Sequence, residues 1–241
     1  DIHFIHCEDD ENDYRSLETA FVEAMDDVRD SGGVNQILIC GDIANWGKEE
    51  EYNTAEVFLQ SILNRLECDE RRTQIYVVPG NHDVDRSVNA LTRRAWRDTL
   101  LDLTTADDFI KQAKHKELDT LRTIYSPFEA YHKFANKHSS ADAVAVGILS
   151  GSNNYNNMSF RKEVDLGMLD NYLVRLHCLN SALLCDKEDV NDPRSIKDGE
   201  HKLYIPRFAY NVDTNSTVVN ISMMHHPHAW FENEDALRTE F

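Results

Sequence analysis

Two short apolar runs, QILIC at 36–40 and IYVV at 75–78, bracket a stretch of helical periodicity, and that alternation constrains the fold most. Between them Tyr52, Ala55, Phe58, Leu59, Ile62, Leu63 and Leu66 share one face of a helix over 49–66. A helix also precedes the first run, in SLETAFVEAMDDVRDSGG. There Leu17, Ala20, Phe21, Ala24, Met25 and Val28 recur at helical spacing until Gly32-Gly33 ends the pattern. The opening DIHF reads as the end of a strand, and the acidic stretch at 8–13 as a solvated loop. Strand, helix, strand, helix, strand in that order predicts an α/β fold with a parallel sheet and crossover helices.

The remainder is less regular. Residues 86–140 are rich in charge and helix formers, with Trp96, Leu100, Leu103, Ile110 and Leu118 loosely at helical intervals, and read as a helical insertion. A polar loop follows at 150–159. Strand-like runs resume at 173–179 and 218–224, with a charged, loop-like segment between them, and 233–241 reads as a helix. The 241 residues make one α/β domain of ordinary size, and both ends read as cut within the fold.

A formal charge of -18 argues against a broad face for nucleic acid or anionic membranes, though not against phosphate chemistry at one metal centre. No apolar run approaches a membrane span. The five cysteines are odd in number, and Cys40 and Cys178 lie in apolar runs, which predicts buried free thiols in a reducing, cytoplasmic compartment.

Four predicted strands end in groups able to bind a metal: Asp1-Ile2-His3, Gly41-Asp42, Asn81-His82-Asp83 after VVPG, and His225-His226-Pro227. Parallel strands deliver their carboxyl ends to one edge of a sheet, where ligands bind in open α/β folds. Oxygen and imidazole donors suit Mn, Fe or Zn. Two such ions about 3.5–4 Å apart form a clamp used in phosphoryl hydrolysis.

In order and spacing this set resembles the calcineurin-like metallophosphoesterase superfamily, whose pattern runs D-x-H, G-D, G-N-H-[DE], a strand-end His and G-H-x-H. The chain carries the first four as Asp1/His3, Gly41/Asp42, Gly80-Asn81-His82-Asp83 and His225, across essentially its whole length. The resemblance implies a four-layer α/β/β/α sandwich and two divalent metals, Mn first, with Fe, Zn or Ni as alternatives. It implies Asp1 and His3 as ligands of the first metal, Asp42 as the bridging carboxylate, and Asn81 and His225 as ligands of the second. It makes His82 the group that steadies the phosphate or protonates the leaving oxygen, with Asp83 holding its ring. Attack on phosphorus would come from a metal-bridging hydroxide. The final G-H-x-H is absent, so one further strand is expected beyond Phe241.

Several residues keep two readings. Arg86 either meets a substrate phosphate as a bidentate fork or pairs with Asp83 or Asp85. His226 competes with His225 as ligand, and His228 is close by. Asn180 either reaches the site rim or serves a turn. Trp46 either lines the pocket or packs in the core. No Walker loop and no GxSxG elbow is present. The expectation is a metal-dependent phosphoesterase acting on a phosphodiester, a nucleotide or a nucleic-acid strand, as one part of a longer chain or assembly. A phosphoprotein or phosphomonoester phosphatase is the first alternative, and a non-catalytic binding module of the same fold the second.

Overall fold

The structure is a computed structural model that describes residues 11–68, 73–89, 91, 92, 95, 123, 125–139, 161–183, 185, 203, 205, 209, 212, 215–231 and 234–240. The two apolar runs form β1 (Gln36–Ile39) and β2 (Gln74–Val77), paired in parallel with Gln36 opposite Gln74 and Ile39 opposite Val77. The crossover is α2 (Glu49–Arg65), which buries Tyr52, Ala55, Phe58, Leu59 and Ile62 as its periodicity predicts. Before it, α1 (Glu11–Asp30) lies along α2, with the Phe21 and Phe58 rings 5.7 Å apart and Arg65 paired with Asp26. This helix takes in Glu11 and Asp13, which the sequence reading placed in a loop. An acidic run is as compatible with a first helical turn as with a loop, so composition alone does not separate the two.

A second sheet has the order β3-β4-β5. Strand β4 (Tyr172–Leu179) runs parallel to β5 (Val218–Met223), and both match expectation. Strand β3 (Arg161–Leu169) was not foreseen; it pairs antiparallel with β4 through a tight turn at Asp170, where φ is 52°. Its signal was the alternation Lys162, Val164, Leu166 against Glu163 and Asp165, a period of two that a high charge content masks.

The expected insertion falls largely outside the described residues, as do Trp96, Leu100, Leu103, Ile110 and Leu118. Its end is a 3-10 turn (Ser126–Phe128) leading into α3 (Glu129–His138). That helix closes an edge of β2: Tyr131 Oη donates to the Val77 carbonyl at 3.1 Å and Ser139 Oγ to the Ile75 carbonyl at 3.2 Å. Alternate carbonyls of a strand point the same way, so these two are the ones β1 does not use, and an unsatisfied edge is avoided. The last helix, α4 (Glu234–Glu240), lies where the sequence predicts one.

Val77, Val78, Phe128, Tyr131, Leu176, Leu179, Leu203 and Phe231 belong to one buried cluster, so both sheets and α3 share a core. Each fully buried Leu or Phe in it stabilises the fold by roughly 1.5–3 kcal/mol. The result is a mixed α/β fold. Among the described residues no helix is long and apolar enough to cross a membrane.

Candidate active site

Three strand ends meet. After β1 the chain turns through two residues in the left-handed region, Gly41 at φ 95° and Asp42 at φ 51°. A side chain at Gly41 would put Cβ 2.5 Å from the Gly80 nitrogen, and one at Gly80 would overlap Asp42 Oδ1. Glycine at both positions therefore lets the turns after β1 and β2 touch. Asp42 has no such freedom and holds a strained conformation; non-glycine residues of this kind cluster at functional sites.

The contact brings three side chains together. Asp42 Oδ2 and Asn81 Oδ1 each lie 3.2 Å from His225 Nε2, on the turn after β5. His225 Nδ1 is 2.9 Å from the Cys40 carbonyl, which only accepts, so Nδ1 carries a proton and Nε2 faces two oxygens. Burial would raise the Asp42 carboxyl, but the hydrogen bond and charge of His225, with the His82 amide, hold it below its ordinary value. Burial would lower the His225 imidazole, and the Asp42 carboxylate outweighs it and raises the group. A carboxylate oxygen, an amide oxygen and an imidazole nitrogen at one point fit a divalent cation of the Mn, Fe or Zn kind. Among the described residues no group of three or more His, Cys, Asp or Glu could hold a metal ion; the third donor at this point is an asparagine. Asp1 and His3 lie outside the described residues.

His82 and Asp83 part company. Asp83 is fully buried, and its carboxylate accepts from the Ile43 and Ala44 amides at 3.1 and 2.9 Å, the Gly80 amide at 2.9 Å and Tyr52 Oη at 2.8 Å. Burial pushes it up to about 6, against these donors. It therefore does not hold the His82 ring, contrary to expectation: both of its oxygens are occupied in fastening the turn after β2 to the turn after β1. His82 Nδ1 instead lies 2.9 Å from the Asn45 carbonyl. The His82 amide donates to Asp42 Oδ1 at 2.9 Å.

The other candidates resolve by contact. Arg86 pairs with neither aspartate; its Nη2 donates to the Asn81 carbonyl at 3.2 Å, while Asp85 takes Lys48 Nζ at 2.7 Å. His226 sits behind His225, buried between Ser181 Oγ at 2.9 Å and Cys185 Sγ at 3.8 Å, and burial pushes it down to about 3. Ser181 Oγ also receives the His225 and His226 amides, which fixes this turn. Asn180 serves a turn, its Oδ1 accepting from the Ala182 amide. Trp46 is 59% exposed and not in the core. Cys178 is buried, but Cys40 is exposed, because its side chain lies outside the shared core. The sequence reading did not single out Glu51 or Tyr52 as more than helix residues. A Glu in the first turn of α2 was the available signal.

A family profile for calcineurin-like phosphoesterases matches residues 1–240, and the chain belongs to that family of metal-dependent phosphoester hydrolases. No curated protein and no solved structure matches it.

Proposed function

We propose that the protein hydrolyses a small phosphodiester, such as a nucleotide diester, at the meeting point of the three strand ends. The observation that carries this reading is the convergence of Asp42 Oδ2, Asn81 Oδ1 and His225 Nε2 within 3.2 Å contacts. These three residues, with Asp1 and His3, would hold two divalent cations, Mn foremost. When bound, the cations would supply Lewis acidity at phosphorus and activate the nucleophile.

The chain's own groups do the rest. His82, held at Nδ1, turns its opposite edge to the substrate and protonates the departing oxygen. Arg86, anchored through Nη2 on Asn81, presents its remaining donors to a phosphate oxygen. Asp83 binds no substrate and keeps the two turns in register. The charge of -18 favours a monoanionic diester over a dianionic monoester or a long strand of nucleic acid. A single domain over 1–241 with its insertion at 86–140, in the cytoplasm and within a larger chain or assembly, belongs to the same reading.

The test strips the protein of metal, restores Mn²⁺, and follows bis-p-nitrophenyl phosphate beside p-nitrophenyl phosphate. Diester turnover that needs Mn²⁺ and disappears in Asp42→Ala is the expected result. Monoester turnover alone makes the protein a phosphatase. A folded protein with no turnover under any divalent metal is a binding module.

A further inference from the structure

The peptide joining Asn45 to Trp46 stands between two side chains. Its carbonyl lies 2.9 Å from His82 Nδ1, and its N–H donates to the Glu51 carboxylate, 3.2 Å from Oε1 and 3.0 Å from Oε2. Glu51 is 3% exposed and also accepts the Lys48 amide at 2.9 Å. The Lys48 bond is what a Glu in a first helical turn does as a cap. The bonds to Trp46 are not part of capping, since Trp46 lies outside the helix. A buried carboxylate is costly unless its oxygens are occupied, and here part of that occupation falls on the very peptide that holds the histidine.

The loop has little freedom to slip. Gly47 has φ 66°, and a Cβ there would come within 2.6 Å of the Asp85 nitrogen. Lys48 Nζ is tied to Asp85 Oδ2 at 2.7 Å and to Ser87 Oγ at 3.0 Å. A carboxylate drawing on a peptide N–H shifts charge onto the carbonyl of the same amide, because the two share one resonance system. Hydrogen bonds in such a chain strengthen one another.

We infer that Glu51 is a positioning residue for His82: acting through the Asn45–Trp46 peptide, it keeps Nδ1–H on the Asn45 carbonyl, so that the doubly protonated ring gives its Nε2 proton to the leaving oxygen and is left as the neutral Nδ1–H tautomer. The inference rests on the role proposed above for His82. It differs from a carboxylate–histidine pair only in that a backbone amide carries the contact.

Two measurements test it. The first reads the ring directly, in the full chain at a pH where the imidazole is neutral, by long-range proton–nitrogen NMR with His82 assigned through His82→Gln. Wild type is expected to give the Nδ1–H tautomer, and Glu51→Gln a mixture with Nε2–H. An Nε2–H wild type, or ring signals unmoved in Glu51→Gln, overturns the inference. Should Glu51→Gln not fold, the wild-type tautomer and Glu51→Asp, which keeps the charge, decide. The second compares p-nitrophenyl with phenyl diesters in the Mn²⁺-loaded protein. Glu51→Gln is expected to lose about tenfold more kcat on the phenyl ester, whose leaving oxygen needs the proton, with KM little changed. Trp46→Ala keeps the N–H and is expected to show no such selectivity. Equal losses on both esters overturn the positioning role. If the tautomer responds to Glu51 while His82→Ala loses no activity, the link stands and the proposed role of His82 falls.

Discussion

Asp42 Oδ2 and His225 Nε2 lie 3.2 Å apart, tying the turn after β1 to the turn after β5 across the junction of the two sheets. The contact makes each group stabilise the charge of the other. The His225 imidazole is raised above its ordinary 6.5, so its contribution to stability is complete below 6.5 and is lost as pH rises through its folded value. The Asp42 carboxyl is held below its ordinary 3.8, so its contribution is complete above 3.8 and is lost as pH falls through its folded value. In chelator, the difference in thermal midpoint between wild type and His225→Ala should therefore be greatest between about pH 4 and 6.5 and shrink above that window. A difference that grows towards alkaline pH would refute the pairing.

The same contact implies competition between proton and metal. A cation accepted at Nε2 must displace whatever proton that nitrogen carries. Mn²⁺ binding below the raised His225 value should release protons, measured by calorimetry in buffers of different ionisation enthalpy. His225→Ala should abolish the release and weaken binding.

Asp83 predicts a structural rather than a kinetic phenotype. Asp83→Ala leaves the amides of Ile43, Ala44 and Gly80 and the Tyr52 hydroxyl without their acceptor in a buried place. Each unsatisfied donor costs about 1–3 kcal/mol, so a loss of roughly 3 kcal/mol or more is expected in urea unfolding. Tyr52→Phe removes one donor and should cost about 1 kcal/mol. A stable Asp83→Ala protein with altered leaving-group dependence would instead restore Asp83 to the chemistry.

Gly80→Ala tests the close approach of the two turns that builds the site. The added methyl would overlap Asp42 Oδ1 and come 2.5 Å from the Asp42 nitrogen, so both the carboxylate and the backbone of the turn after β1 must move. A misplacement of about 1 Å is expected to cost about 100-fold in kcat/KM, with weaker Mn²⁺ binding and a lowered thermal midpoint.

His132 makes the fold sensitive to acid. It is buried between Phe128 and Tyr131, neither ring nitrogen has a hydrogen-bond partner among the described residues, and burial pushes it down to about 3. The folded state keeps it neutral while the unfolded state protonates near 6.5, so its contribution is present above 6.5 and is lost as pH falls towards 3. The slope is on the order of 1 kcal/mol per pH unit. His132→Phe should flatten the fall in urea midpoint between pH 6.5 and 5. An unchanged slope would mean that the imidazole finds a partner in solution.

Much of this was legible beforehand because it is local. Helical spacing from Leu17 to Val28 and from Tyr52 to Leu66 records which face meets a core, and the runs ending at Cys40 and Val78 can only be satisfied inside a sheet. The strand-end groups Asp42, Asn81 and His225 were legible because turn residues after buried strands mark an edge where ligands gather. Strand β3 escaped notice because its alternation uses charged residues on the exposed face. The start of α1 escaped because an acidic run serves a loop and a first helical turn equally well.

Sequence by itself determined β1, β2, β4 and β5 with the helix between the first two, the parallel order of that pair, and the strand-end residues Asp42, Asn81 and His225 that could meet. Tertiary structure alone decided who holds whom: Asn45 rather than Asp83 on the His82 ring, the Asn81 carbonyl rather than an aspartate on Arg86, Trp46 out of the core, and Glu51 buried beneath the site loop. The physical reason is range. Periodicity and turn chemistry act over a few residues, whereas a hydrogen bond is settled within about 3 Å. At that range the left-handed turn at Gly41 and Asp42 and the closeness permitted by Gly80 choose among donors from distant segments, and no local pattern carries that choice.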